Sequence, residues 1–391
     1  MGRDESVSRT PNRVSPTAIL PRTIPVQNGT ETGVVTRRGR QRVLITGAAG
    51  QARASLAAVR ALGTAGYEVT VTEDEPRSLA GASRYCSRRV SVPRAGTAGY
   101  AEAVRAELAS RQYLLTFPAS DAALIDLGDP AAQLVDKAHL AQRARTAGMP
   151  TLLTTRYESG EELLGDTELT FPLVVKPAEK KTAAFAEAVR IDDRAGLARI
   201  SQQIDTAVVV QPFLDCPLDA VAGVMWDGEI VASVHQRTLR TWPVGCGVSS
   251  AAMTVEPDTS REAKIGSLLQ CHRGVFEVQF LAEYLIDCNP RIYGSLPLAV
   301  AAGANLPALA CRCAAGEPPR SIVRARVGAR YRWTEGDLRN LWHTSRAGEL
   351  AFSEFVSALR PVRRTVHSVE SLRDPLPALA RLGYVLKTRR Q

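Results

Sequence analysis

Four oxygen-bearing side chains stand at alternate positions in two neighbouring apolar segments: Glu277 and Gln279 within Gly274 to Leu281, then Asp287 and Asn289 within Leu285 to Asn289. Strand side chains alternate between faces, so each pair shares a face, and if the two strands are partners all four oxygens converge. Carboxylate and amide oxygens suit a hard cation such as Mg2+, which keeps few protein ligands and completes its shell with phosphate and water. Arg291, two residues beyond Asn289, adds a planar fork of donors matched to a carboxylate or phosphate. An ordinary hairpin with a solvated polar face would carry the same residues, so the surrounding chain has to separate the two readings.

At 391 residues the chain has material for two or three domains. Its formal charge of +9 is uneven: residues 1–42 carry eight Arg against three acids, residues 360–391 eight basic residues against two acids, and the middle is close to −2. Basic residues do not interleave with aromatics on one element, which argues against nucleic-acid binding as the main function. The seven cysteines show no C-x-x-C spacing and read as buried small residues in a reducing compartment, without a zinc site. No apolar run approaches the roughly 18 to 20 residues of a membrane span, and the N-terminus lacks a signal-peptide core, so the expectation is a cytoplasmic protein with no membrane partner.

Residues 1–40, rich in Ser, Thr, Pro, Arg and Gly, have too little apolar surface to offset ordering and are expected to be a disordered tail. Val43 to Thr46 reads as a buried strand, Ser55 to Leu62 as an Ala-rich helix and Tyr67 to Thr72 as a second strand, the order of a parallel sheet. The intervening Gly47-Ala48-Ala49-Gly50 turn lacks the third glycine of a dinucleotide loop. Tyr113 to Pro118 supplies a further strand, with Ser120 and Asp121 beyond its carboxyl end, where open sheets place ligand contacts. A helix begins near Asp136-Lys137, strands are expected at Phe171 to Pro177 and Val208 to Leu214, and Ala220 to Trp226 pairs with Glu229 to Gln236 through the turn Asp227-Gly228. From about 330 the chain is polar, Arg-rich and largely helical, with Trp333 and Trp342 expected to pack on the main body. No Ser-His-Asp set is evident, and His235, without a base partner in sequence, reads as structural.

This order of segments, closing on Asp287-x-Asn289-Pro290-Arg291, resembles the ATP-grasp superfamily over about residues 42–315, in the branch similar to biotin carboxylase and the carbamoyl-phosphate synthase large chain. The resemblance implies an α/β architecture with an N-terminal parallel-sheet domain (41–135), a central ATP-grasp domain of two α+β subdomains (136–205 and 206–320) and a small, mainly helical C-terminal region (321–391). It implies that Lys137 and Lys176 contact nucleotide phosphates, that Gln211, Pro212, Phe213 and Leu214 form the adenine-holding hinge, and that Asp219 bonds the ribose hydroxyls. It further implies that Arg237 and Arg240 approach the phosphate or acyl-phosphate, that Asp287 and Asn289 bind metal, and that Arg291 faces the substrate.

Two positions depart from the family pattern. Gln279 occupies the place of the first metal carboxylate while Glu277 lies two residues earlier on the same face, leaving either as the ligand. The loop Ala178 to Ala184 carries no glycine, so Lys180 or Lys181 would substitute for backbone amides on the phosphates. The implied activity is ATP-dependent carboxylate–amine ligation through an acyl-phosphate, with Mg2+, or Mn2+ in its place, as cofactor and small-molecule carboxylate and amine substrates in what is often a homodimeric architecture. The alternatives are a nucleotide-binding protein with weak or no turnover, or a carboxylase or carbamoyl-type ligase.

Overall fold

The computed structural model describes residues 40–76, 78–178, 188–360 and 362–388, and its strands fall into three sheets that follow one another along the chain. The expected tail, apart from Arg40, and the loop lysines Lys180 and Lys181 lie outside the described residues.

The first sheet contains β1 (Arg42–Ala48), β2 (Glu68–Glu73), β3 (Cys86–Ser91) and β4 (Leu115–Pro118), all parallel, in the order β3-β2-β1-β4. Val43, Leu44 and Ile45 are fully buried, which is why this strand reads as a continuous apolar run. The edge strand β3 was not legible, because Arg88 and Arg89 stand in its middle and only alternate residues are partly covered.

The second sheet is antiparallel and small: β5 (Thr155–Tyr157), β6 (Leu173–Pro177), β7 (Val189–Ile191) and β8 (Val208–Pro212), in the order β5-β8-β6-β7. Leu173, Val175, Ile191, Val208 and Val210 pack with Leu163 and Leu197 from two short helices. Lys176 and Gln211 stand at positions of the opposite face.

The third sheet has eight strands: β9 (Leu218–Trp226), β10 (Glu229–Trp242), β11 (Val248–Thr254), β12 (Gly274–Leu281), β13 (Tyr284–Asn289), β14 (Val323–Arg324), β15 (Arg330–Arg332) and β16 (Thr365–His367). Its order is β13-β12-β9-β10-β11-β15-β16, with β14 beside β10. The β9–β10 turn places both Asp227 and Gly228 at positive φ, 50° and 84°, as the sequence pair requires. The C-terminal region holds helices over Thr334–Arg346, Phe352–Leu359 and Leu376–Thr388, and it also completes the large sheet with three strands too short to show a periodic pattern. Trp333 packs on the body, its backbone N–H donating to Ser250 O (2.7 Å) and its ring under the Arg53 guanidinium at 3.9 Å. Trp342 does not, being 60% exposed on the outer side of its helix.

The large sheet is covered on both faces. Ala222, Val224, Ala232, Val234 and Val275 join a core continuous with β1, β2 and the helices Arg53–Thr64 and Leu306–Ala314. Val221, Met225, Phe276, Val278 and Phe280 pack instead with the helices Lys137–Thr146 and Thr259–Leu268. Gly223 is where β9 lets Phe276 approach: a Cβ there would lie 2.7 Å from Phe276 Cζ and closer still to Ala232 O. Gly223→Ala should therefore destabilise the fold by about 1–3 kcal/mol, seen as a lower urea midpoint with an unchanged m-value.

Candidate functional site

The strands β12 and β13 are antiparallel partners, with Glu277 opposite Asn289 and Gln279 opposite Asp287. Directly opposed residues share a face, so the four side chains stand together as their spacing implied. On the other flank of β12, β9 contributes Ala222 beside Glu277 and Ala220 beside Gln279, and beyond Ala220 stands Gln236 of β10. These two small residues leave the room through which Gln236 reaches the cluster.

Glu277 is its hub. Gln236 Nε2 (3.1 Å) and Ser295 Oγ (3.3 Å) donate to Oε1, while Gln279 Nε2 (3.1 Å) and Asn289 Nδ2 (3.2 Å) donate to Oε2. Burial raises the carboxyl pKa, opposed by the Gln279 and Ser295 hydrogen bonds and the Arg291 charge. The Tyr293 hydroxyl is buried close by without a hydrogen-bond partner, and burial drives its pKa upward. Asp287 forms an ion pair with Lys137, which opens the helix Lys137–Thr146 behind its cap Asp136, and also accepts the Cys288 N–H (3.0 Å).

Arg291 is fixed from three sides: Nε donates to Asp121 Oδ1 (2.5 Å), Nη2 to Asn289 Oδ1 (2.8 Å) and Nη1 to Ile292 O (3.0 Å). Burial disfavours its charge, yet the Asp121, Asp287 and Glu277 carboxylates raise its pKa further. Asp121, expected as a ligand contact at the end of β4, thus holds the arginine. Its position is set by the Ser120 cap of the helix Asp121–Leu127 and by the Ile292 N–H donating to Pro118 O (3.3 Å).

On the second sheet, Lys176 Nζ donates to Gln211 Oε1 (2.9 Å), whose Nε2 donates to Thr154 Oγ1 (2.8 Å). Residues 213–217 then carry the chain from β8 into β9, as expected of a hinge between sheets, although the second of these sheets is large. Phe213 lies under the Arg190 guanidinium at 4.2 Å. Cys246, in the β10–β11 loop, has its thiol pKa raised by burial and pulled back by Lys176 and Arg190, which brings that loop to the second sheet.

Three expected contacts sit elsewhere. Arg237 and Asp219 are cross-strand partners joined by two hydrogen bonds (2.8 and 2.9 Å), in the same row as Phe280, whereas Gln236, Ala220 and Gln279 form the next row. Alternation puts adjacent rows on opposite faces, so Arg237 and Asp219 are separated from the oxygen cluster. Arg240 grips Asp337 (2.6 and 3.1 Å), which also takes Arg332 (3.0 Å). His235, on the same far face, meets Glu262 (3.1 Å), a partner 27 residues away that also binds Ser233 and Arg324. Gln236, Ser295 and Tyr293 were missed as site residues. Ser295 ends the segment that carries the cluster, and the alanines of β9 were the only hint of space for Gln236.

No family model matches the chain, and no curated protein matches it in sequence. Solved structures do. The L-amino acid ligase from Bacillus licheniformis aligns at 16% identity and TM-score 0.52, over 71% of this chain and 75% of that one. The N5-carboxyaminoimidazole synthetase from Staphylococcus aureus, complexed with ADP, aligns at 13% identity and TM-score 0.57, over 74% and 80%. The biotin carboxylase domain of Hydrogenobacter thermophilus 2-oxoglutarate carboxylase, in complex with MgADP, ADP and bicarbonate, aligns at 14% identity and TM-score 0.52, over 74% and 73%. This is the ATP-grasp fold.

Within that ATP-grasp fold the oxygen cluster fits a Mg2+ ion of few protein ligands. Among the described residues no three His, Cys, Asp or Glu side chains gather to hold a metal, but Asp287 with the amide oxygens of Gln279 and Asn289 is a hard-oxygen set for a cation that takes phosphate and water as its other ligands.

Two measurements follow. Asp121→Ala leaves the Arg291 guanidinium buried without its carboxylate and should cost about 3 kcal/mol of stability by denaturant titration. Burial lowers the pKa of His235, so the unfolded chain takes up that proton more readily; its contribution is complete above about pH 6.5 and is lost on acidification. A His235→Gln variant should therefore lose less Tm between pH 7 and 5 than the parent protein.

Proposed function

We propose that the chain is an ATP-dependent carboxylate–amine ligase that activates a carboxylate as its acyl-phosphate and joins it to an amine. The observation that carries this reading is the meeting of Asp287, Gln279 and Asn289 on one face of two paired strands, with Lys137 and Arg291 in direct contact with them. An ammonium, a guanidinium and a hard-oxygen set around one point are what phosphoryl transfer requires, since its catalysis is positioning and charge stabilisation.

In this reading Lys176 and Lys137 hold the nucleotide phosphates, and Gln211 through Leu214 flank the adenine. Asp287, Gln279 and Asn289 would hold Mg2+, or Mn2+ with the same ligand preferences, which supplies charge neutralisation to the phosphate oxygens. Arg291 presents to the carboxylate the N–H groups that Asp121, Asn289 and Ile292 do not use, and no covalent protein nucleophile is needed. Arg237, Asp219 and Arg240 receive no part, because each is already bound to an opposite charge away from the cluster. A nucleotide-binding protein with weak turnover is the second reading. It is favoured by the engagement of both Glu277 oxygens, which leaves Asp287 as the one metal-facing carboxylate.

ADP release should require both an added carboxylate and an added amine; ATP binding without ADP release across a broad panel of both would sink the ligase reading and leave the second. Lys176→Met should weaken ATP binding about tenfold or more, equivalent to about 1.4 kcal/mol, by calorimetry with an unhydrolysable analogue. Unchanged affinity would remove Lys176 from the nucleotide site.

A further inference from the structure

Glu277 is the carboxylate nearest in sequence to the expected metal position, yet both of its oxygens accept hydrogen bonds from neutral side chains. Its Oε1 accepts from Gln236 and Ser295, its Oε2 from Gln279 and Asn289, and its residue is only 6% exposed. A cation ligand would have to give up these four bonds deep in the sheet. The amides supply the missing logic: a carboxamide carries its nitrogen and oxygen on opposite branches, so an amide that donates to Glu277 turns its oxygen away from it. For Gln279, which is half-buried, that direction is away from the hub. For Asn289 it is towards Arg291, whose Nη2 meets Oδ1 at 2.8 Å.

We infer that Glu277 is a positioning residue which fixes the rotamer of the Gln279 amide so that its oxygen faces the cation, and which does not bind the cation itself. The inference rests on the ATP-grasp reading of the site given above and deepens it by assigning the ligand. The Glu277 oxygens serve this role as acceptors: the Gln279 nitrogen donates to Oε2, and a flipped amide would set oxygen against oxygen there. The same carboxylate holds the Asn289 amide, whose oxygen is thereby turned to the Arg291 fork.

Mn2+ binding, followed by the loss of the free-ion electron paramagnetic resonance signal in the presence of an unhydrolysable ATP analogue, tests this without turnover. Gln279→Ala should weaken Mn2+ binding at least tenfold. Glu277→Gln should weaken it several-fold in the parent protein, because the Gln279 amide loses its acceptor, but should cost nothing in a Gln279→Glu background. A carboxylate at 279 has oxygen on both branches and needs no orientation. Full Mn2+ affinity in Gln279→Ala, or an equal loss from Glu277→Gln in both backgrounds, would make Glu277 the ligand and overturn the inference while the ATP reading stands. Circular dichroism and Tm of each variant separate these results from misfolding; the Gln279→Ala result decides the matter alone if Glu277→Gln does not fold. A parent protein that takes up no Mn2+ with the analogue would overturn the ATP reading, and this inference with it.

Discussion

The register of β12 against β13 is the constraint on which the site depends. A slip of one residue would send one pair, Glu277 with Gln279 or Asp287 with Asn289, to the other face, the side on which Phe276, Val278 and Phe280 pack. That slip is opposed on both flanks. Along β9, the eight residues of β12 pair without interruption, and the side turned towards the helices Lys137–Thr146 and Thr259–Leu268 is apolar throughout its interior. Along β13 the pairing shifts between Gln279 and Phe280, so that Ile286 is the extra residue just beyond the cluster, and Ala282 turns the chain at φ 52°. The hydrophobic face of the hairpin therefore determines where its polar face can be.

Charge is the second constraint, and the molecule meets it by drawing partners from distant segments. Asp287 takes Lys137 from a helix 150 residues upstream, and Arg291 takes Asp121 from the end of the first sheet. Glu277 takes neutral donors only. Removing one member of such a pair leaves a desolvated charge, which is why these contacts tie the first sheet, the helix at 137 and the large sheet to one point. Arg291 is the residue through which they communicate: one nitrogen reaches Asp121 and another reaches Asn289, itself bound to Glu277.

The opposite face of the large sheet has a different task. His235, Ser233 and Arg324 converge on the Glu262 carboxylate, Arg237 closes on Asp219, and Arg261 covers Phe280 at 4.5 Å. Arg240, Arg332 and Asp337 join β10 and β15 to the helix Thr334–Arg346. These interactions complete the charges of strands that are polar on that side near their ends, and they secure the C-terminal helices to the sheet.

The sequence by itself determined much of the fold and half of the site. Apolar runs and turn residues located β1, β2, β4, β6, β8 and the β9–β10 hairpin, because burial and backbone conformation are local properties of residue type. The period of two placed Glu277 with Gln279 and Asp287 with Asn289, for the same reason. The edge strand β3 and the two- and three-residue strands β14, β15 and β16 carried no local signal, since their place is set by the neighbour they join. Only the tertiary structure decided which charge meets which. Arg237 and Asp219 have the types expected of nucleotide contacts, but strand alternation turns them to the far face; Gln236 and Ser295 have no distinctive spacing, yet Gln236 reaches Glu277 across β9's alanines and Ser295 reaches it from the turn after β13. Residue type states what a side chain can bind, and pairing across strands distant in sequence states what it does bind.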